Sequence, residues 1–147
     1  MLGLGVTTAV GSRTFRRWVS TGPQESTISY PAWAILCHEA GFERIWHPVR
    51  DLHNDEPINL LRPSTLVAAR VWESPTGNEV RAIATKVEEI TGTKIAEILG
   101  LSCSFDGRSR TFRRWSKADE ASTIPYAAWA LMVEMVGKGV IWEWTIE

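Results

Sequence analysis

A repeated pattern constrains this chain more than any other feature. The heptapeptide SRTFRRW occurs at Ser12–Trp18 and again at Ser109–Trp115, and a second block, STISYPAWA at Ser26–Ala34, returns as STIPYAAWA at Ser122–Ala130. Both copies then reach a glycine and an Ile-Trp pair, which are Gly41 with Ile45–Trp46 and Gly137 with Ile141–Trp142. Self-similarity of this kind predicts an internal duplication, in which each copy folds into the same small unit.

The two copies differ in what precedes them. Ahead of the second copy, apolar residues at helical spacing predict one helix over Asn78–Ile90 and another over Thr91–Leu99, with Gly100 placed to end it. The first copy begins at Met1, at a point where the second copy has already completed both helices. The fold class is therefore predicted to be all-α, with two related helical units of which the first lacks its leading two helices.

Prolines divide the chain into three predicted parts. Residues 1–47 are assigned to the truncated first copy and residues 76–147 to the complete second copy. The region 48–75 between them is interpreted as a linker, because it contains four helix breakers, Pro48, Pro57, Pro63 and Pro75. Within the linker, apolar positions at helical spacing predict a short helix over Ser64–Trp72.

Composition and motifs exclude several classes of function. The formal net charge is −1, so nucleic-acid binding would have to come from a local cluster of positive charge. Cys37 and Cys103 are interpreted as free thiols of a cytoplasmic protein, and no segment is apolar for the roughly 20 residues that a membrane span needs. His38, His47 and His53 have no metal-ligand spacing, so neither a metal nor a cofactor is expected. Without a nucleophile motif or a phosphate-binding glycine loop, the chain is predicted not to be an enzyme.

The repeated heptapeptide predicts a short basic helix in each copy. Ser109 is a suitable N-cap, and Phe112 and Trp115 lie three residues apart, so both rings are expected to be buried on one face. The polar residues then point outward, where Arg can bind guanine or phosphate and Thr can contact a thymine methyl group or a phosphate. The predicted DNA-binding residues are Arg108, Arg110, Thr111, Arg113, Arg114 and Lys117 in the second copy, and Arg13, Thr14, Arg16 and Arg17 in the first copy, where Phe15 and Trp18 are the buried rings. The alternative is a solvated basic helix that contacts nothing.

Three stretches of the second copy follow one another in an order typical of a known family. They are IAEILGLS at Ile95–Ser102, RTFRRW at Arg110–Trp115, and Ile-Pro-Tyr at Ile124–Tyr126, which opens a closing helix. In this order they resemble the Cro/C1-type helix-turn-helix regulators of phages and plasmids, and the resemblance covers Val80–Val136. It implies that Arg110–Trp115 is a recognition helix that enters the major groove of DNA. The stretch Cys103–Gly107 makes the turn longer than is usual in that family.

Two functions are compatible with these patterns. The first is a sequence-specific regulator, a repressor of a phage or plasmid, that binds double-stranded DNA through both basic helices. Alternatively, only the second copy binds DNA and the chain forms a homodimer through the first. The second function is an inhibitor of the anti-CRISPR type that uses the same fold to bind a host protein. Salt separates the two, because phosphate binding weakens steeply as salt rises and an apolar protein interface does not.

The truncation also raises a question of packing. The matched tryptophans Trp33, Trp46, Trp129 and Trp142 are expected in the core. Without two leading helices, however, the first copy would leave an apolar patch uncovered, formed by Leu4, Phe15, Trp18, Trp33 and Leu36. Three covers are considered, which are the predicted helix Ser64–Trp72, the second copy itself and another chain. The predicted helix is preferred, and a symmetric homodimer through the first copy is the second choice.

Overall fold

The computed structural model describes residues 12–20, 27–46, 61–91, 93–117 and 120–142. These residues form six α-helices, which are α1 (Arg13–Ser20), α2 (Tyr30–Glu39), α3 (Gly77–Thr91), α4 (Ile95–Ile98), α5 (Arg110–Trp115) and α6 (Tyr126–Met135). A turn of 3-10 helix spans Pro63–Thr65, and the described ranges contain one isolated bridge of strand type, between Thr76 and Ala121. The predicted all-α fold class is confirmed. The predictions for Leu4, His47 and His53 lie outside the described residues.

Helix α6, the closing helix of the second copy, lies at the centre of the core. All of its residues are buried, and both α2 and α3 pack directly against it. Helix α3 contributes Val80, Ile83 and Val87, which are spaced so that they share one helical face and are fully buried. The core is therefore built around the second copy, and α2 of the first copy is added to it.

Helix α3 confirms the prediction over Asn78–Ile90, and its first residue is determined by a capping box. The Thr76 hydroxyl accepts a hydrogen bond from the Glu79 N–H at 3.3 Å, and the Glu79 carboxylate accepts one from the Thr76 N–H at 2.7 Å. The same carboxylate accepts hydrogen bonds from the Arg62 N–H at 2.8 Å and from the Arg62 guanidinium. Burial raises the pKa of Glu79, but the hydrogen bonds from Arg62 and Thr76 outweigh it, so the pKa lies below its usual value.

Helix α4 is shorter than the helix predicted over Thr91–Leu99. Lys94 is extended, with ψ at 130°, so the helix cannot begin before Ile95, whose N–H donates a hydrogen bond to the Glu88 carboxylate at 3.2 Å. Its end agrees with the prediction, because the chain turns at Gly100 with φ at 65°, in the left-handed region that favours glycine.

The closing helices of the two copies begin with tyrosines that form the same hydrogen bond to the chain beyond the helix. The Tyr30 hydroxyl donates to the Ile45 carbonyl oxygen at 3.1 Å, and the Tyr126 hydroxyl donates to the Ile141 carbonyl oxygen at 2.8 Å. Desolvation raises the pKa of both tyrosines, that of Tyr126 to about 12, so both hydroxyls keep the proton they donate at neutral pH. Each helix is followed by a glycine of positive φ, Gly41 at 82° and Gly137 at 72°.

The segment 61–72 does not form the helix predicted over Ser64–Trp72. Only the 3-10 turn Pro63–Thr65 is helical. In an α-helix the carbonyl groups of this segment would accept hydrogen bonds from its own N–H groups, but here two of them accept from side chains of the second copy. The Thr65 carbonyl oxygen accepts a hydrogen bond from Trp129 Nε1 at 2.6 Å. The Tyr126 hydroxyl, which donates to Ile141, is also within hydrogen-bond distance of the Val67 carbonyl oxygen, at 3.2 Å. The segment therefore covers the second copy, and the prediction that it covers the first copy is wrong.

The first copy is much less buried than predicted. No residue of α1 is buried, Trp18 and Leu36 are half-buried, and Phe15 and Trp33 are 44% and 51% exposed. The predictions of a buried Phe15 and of a core position for Trp33 are thus wrong, because no counterpart of α3 or of the segment 61–72 covers them among the described residues. The core positions predicted for Trp46, Trp129 and Trp142 are confirmed.

Candidate nucleic-acid interface

Helix α5 is a short helix that is capped at its start and buried at its end. The Ser109 hydroxyl accepts a hydrogen bond from the Phe112 N–H at 3.4 Å, which confirms Ser109 as the N-cap. Trp115 is only 4% exposed, and Phe112 is half-buried against the same core, so one face of α5 is held in place as predicted. The opposite face is left to the polar residues.

That outer face is a cluster of positive charge with no side-chain partner in the described part of the chain. Arg110, Arg113 and Arg114 are exposed, and Thr111 beside them is half-buried. Among the described residues, no side chain forms a hydrogen bond or an ion pair with the three guanidinium groups. These groups can therefore form bidentate hydrogen bonds with phosphate or with the edge of guanine without breaking a contact to any described residue.

The turn before α5 is ordered by local hydrogen bonds. The Asp106 carboxylate accepts hydrogen bonds from the Ser104 hydroxyl and from the Arg108 N–H, and these lower the pKa of Asp106. Lys94 Nζ donates to the Asp106 carbonyl oxygen at 3.3 Å. Gly107 follows with φ at 74°, and a β-carbon there would lie 2.5 Å from Lys94 Nζ. The longer turn is thus a fixed element, which places Arg108 next to the start of α5.

Arg108 and Lys117 extend the cluster at the two ends of α5. Lys117 is exposed just after the helix, and Arg108 forms an ion pair with Asp106 at 3.4 Å between Nε and Oδ2. A groove between α4 and α5 is lined by Lys94, Arg108 and Arg113 together with the Glu88 carboxylate. The structure thus brings all six predicted residues of the second copy together along one short stretch.

The end of α5 is held against the start of α3 by a close backbone approach. A β-carbon on Gly77 would lie 1.9 Å from the Lys117 carbonyl oxygen, so only glycine fits at this position. The Arg81 guanidinium donates a hydrogen bond to the Ser116 carbonyl oxygen next to it. Sequence reasoning missed both supports, and it also missed Glu79, although the spacing of Thr76 and Glu79 is the sequence signature of a capping box.

The first copy presents a second basic helix with weaker support. In α1, Arg13, Thr14, Arg16 and Arg17 are all exposed, and the Ser12 hydroxyl accepts a hydrogen bond from the Phe15 N–H at 3.3 Å, as Ser109 does in α5. The two copies therefore share the N-cap hydrogen bond, but Phe15 is exposed where its counterpart Phe112 is half-buried. The predicted residues of the first copy lie on a helix separate from α5.

The described part of the chain can also be considered for metal, membrane and thiol chemistry. Where the structure describes the chain, no three His, Cys, Asp or Glu side chains lie close enough together to hold a metal ion. Each of the described helices is too short or too polar to span a bilayer. Both cysteines are free thiols, with Cys37 buried and Cys103 exposed.

Comparison with known proteins gives one clear relationship. No family profile and no solved structure matches the chain. Two transcriptional repressor proteins named KorC, both from Escherichia coli, are each 42% identical to it, over 90 and 83 residues that make up 95% and 91% of their own length. The chain belongs to the KorC family. The two KorC matches cover 61% and 56% of this chain, so it is longer than the relatives it resembles.

Proposed function

We propose that this chain is a transcriptional repressor of a phage or plasmid that binds specific sequences of double-stranded DNA through α5. The observation that carries the proposal is the exposed trio Arg110, Arg113 and Arg114, which has no side-chain partner among the described residues, on a helix whose other face is anchored by buried Trp115. The repressor name of the KorC relatives supports DNA as the ligand. Neither observation favours the alternative of an inhibitor that binds a host protein.

The residues divide into two roles in this proposal. Arg110, Arg113 and Thr111 on α5 read base edges in the major groove, where an α-helix fits and where each base pair has its own pattern of donors and acceptors. Arg108, Arg114 and Lys117 bind phosphates and set the orientation of the helix on the duplex. The overall charge of −1 is compatible with this, because the positive charge is concentrated where the DNA would lie.

Two further elements belong to the same proposal. The hydrogen bonds repeated by Tyr30 and Tyr126, and the caps repeated by Ser12 and Ser109, support an internal duplication. The succession of α3, α4, α5 and α6 supports a helix-turn-helix unit of the Cro/C1 type in the region 76–147, preceded by a truncated copy in residues 1–47. A repressor of this kind acts in the cytoplasm.

The test is selection from a random pool of duplex DNA by the purified full-length chain. We expect one sequence motif to be enriched, and binding to it to weaken steeply as salt rises, since each phosphate contact that is made contributes about −0.9 to the slope of log K against log salt. The matched control is Lys138→Ala, which removes one exposed positive charge from the turn after α6, outside the basic helix α5. Failure to enrich any sequence at low salt, with a folded protein, would overturn the proposal.

A further inference from the structure

The contact between α2 and α6 joins equivalent parts of the two copies. Helix α2 and helix α6 occupy matching positions in the repeated sequence, and they pack directly against each other. From α2, Ala32, Ala34 and Ile35 are buried in the same core cluster as the residues of α6. The two copies therefore meet through the same helix of each.

The contacts across this junction are reciprocal. Trp46 of the first copy donates a hydrogen bond from Nε1 to Glu134 of the second. Trp142, which matches Trp46 in the repeat, contacts His38, which matches Glu134, with ring centroids 5.9 Å apart. Trp46 and Trp142 also contact each other, with centroids 6.2 Å apart and an angle of 75° between the rings. A contact made in both directions, with matching residues meeting in the middle, is the pattern of a twofold interface between identical subunits.

One difference across the junction is compensated by a neighbouring residue. Because His38 stands where the second copy has Glu134, no carboxylate is present at that matching position. Trp142 Nε1 instead donates to the Glu39 carboxylate, one residue further along, at 2.9 Å. Each tryptophan of the pair thus keeps a carboxylate acceptor on the opposite copy, which is expected if both halves of the interface matter for stability.

The KorC relatives cannot match both copies at once. Their matches span at most 90 residues of this chain, whereas the two SRTFRRW heptapeptides extend from Ser12 to Trp115, which is a longer stretch. A KorC relative therefore aligns with at most one of the two heptapeptides over its matched length, and this chain carries at least one more.

We propose that the chain is a single-chain counterpart of a twofold repressor dimer, in which the α2–α6 contact takes the place of the subunit interface. The inference rests on the proposed function and names its ligand, an asymmetric duplex site bound by one chain. Helix α5 reads one half of the site, and α1 binds the other half. Helix-turn-helix dimers place their recognition helices on half-sites separated by about one helical turn of DNA or a multiple of it, and the same spacing is expected here.

The two halves of the site are expected to be unequal because the two helices are supported unequally. Helix α5 is anchored by buried Trp115 and joined to α3 through Gly77, whereas α1 has no buried residue and its Phe15 is 44% exposed. A recognition helix that is loosely held gives little discrimination between bases, although its arginines still bind phosphates. The half-site under α1 should therefore be protected by the protein but weakly defined in sequence.

The experiment uses the full-length chain and the motif selected as described above. Hydroxyl-radical footprinting maps the protected segments, and sedimentation of the complex gives the number of chains on each duplex. Three variants are compared. The α1 variant combines Arg13→Ala and Arg16→Ala, the α5 variant combines Arg110→Ala and Arg113→Ala, and Lys138→Ala is the control. Circular dichroism verifies that each variant remains folded.

The proposal expects one chain for each duplex and two protected segments. The α1 variant should lose only the weaker segment, with a fall in affinity of a few-fold, whereas the α5 variant should lose more than about tenfold. A single protected segment that is insensitive to the α1 variant would overturn the single-chain dimer and leave DNA-binding repression standing. Two chains bound symmetrically on a palindrome would also overturn it. If no motif can be selected at all, the proposed function itself fails.

Discussion

Trp33 and Trp129 occupy the same position of the repeat, yet one is 51% exposed and the other is fully buried. Both belong to helices that begin after the same Ser-Thr-Ile motif and end in a glycine of positive φ, so their local structure is the same. The difference comes from the rest of the chain, because Trp129 donates to the Thr65 carbonyl oxygen of the segment 61–72 and lies fully buried in the core cluster. Local sequence thus determines the helix, while the surrounding chain determines how much of it is buried.

The largest expected effect on stability comes from removing the ring of Trp129, and removal of the matching ring of Trp33 is the comparison. Trp129→Ala should lower the free energy of unfolding by ~3–5 kcal/mol, because it leaves a cavity and an unpaired carbonyl group. Trp33→Ala should cost about 1 kcal/mol, since half of that ring already contacts water. Urea unfolding followed by circular dichroism measures both. Equal losses for the two variants would show that the two copies are equally packed in solution.

The next effect concerns DNA binding by the two basic helices. Arg113→Ala should weaken binding to the selected motif by ~1–3 kcal/mol if the side chain reads a base, because α5 is held rigidly. Arg16→Ala, the change at the matching position of α1, should cost less and mainly lower the salt slope by about 1. Titrations at several salt concentrations separate the two outcomes. The assignment of α5 is wrong if Arg113→Ala remains folded and binds as tightly as the parent.

A smaller effect is expected at the pair of tryptophans between the copies. Trp46→Phe removes the donor to Glu134, whose side chain is only 6% exposed, so it should cost ~1–3 kcal/mol even though Arg44 still pairs with that carboxylate at 3.1 Å. Both variants also remove ring atoms from the core, but Trp142→Phe leaves Glu39, which is 27% exposed and can be hydrated, so its loss should be the smaller of the two. Thermal unfolding of the two variants tests this order, and a larger loss for Trp142→Phe would contradict it.

The smallest effect is a dependence on acid that comes from Glu79, at the start of α3. The pKa of Glu79 is lowered in the folded protein, so its contribution is complete above the ordinary carboxyl pKa of about 4.3 and is lost as the pH falls below it. Glu79→Gln should remove this part of the acid sensitivity and cost roughly 1 kcal/mol at neutral pH, as for a helix cap. Glu89→Gln is the control on the same helix, because Glu89 is exposed and pairs only with Lys86 at 3.2 Å among the described residues. A parent and a Glu79→Gln protein with the same stability curve between pH 3 and 7 would rule the effect out.

Features that depend on neighbouring residues could be predicted from the sequence. The helix over Gly77–Thr91, the cap at Ser109 and the turn at Gly100 were all predicted correctly, because each depends on periodicity or on a residue type suited to one backbone position. The buried Trp115 was predictable for the same reason, since it shares a helical face with Phe112.

Features that depend on distant parts of the chain could not be predicted in this way. The segment 61–72 has helical periodicity, but its carbonyl groups bind Trp129 and Tyr126, which are more than fifty residues away in the sequence. The reciprocal contact of Trp46 and Trp142 likewise depends on the packing of α2 against α6. Periodicity shows that an apolar face exists, but it does not show which surface will cover it.

The packing of α2 on α6 has a consequence for how the protein responds to its own abundance. Repressors assembled from separate chains dissociate on dilution, so at low abundance the occupancy of their sites falls faster than the number of chains. In the proposed single-chain dimer, the two halves are held at the high effective concentration of a tethered pair, and dilution does not separate them. Occupancy of the DNA site would then follow a simple hyperbola in chain concentration, with no threshold even at a few molecules per cell.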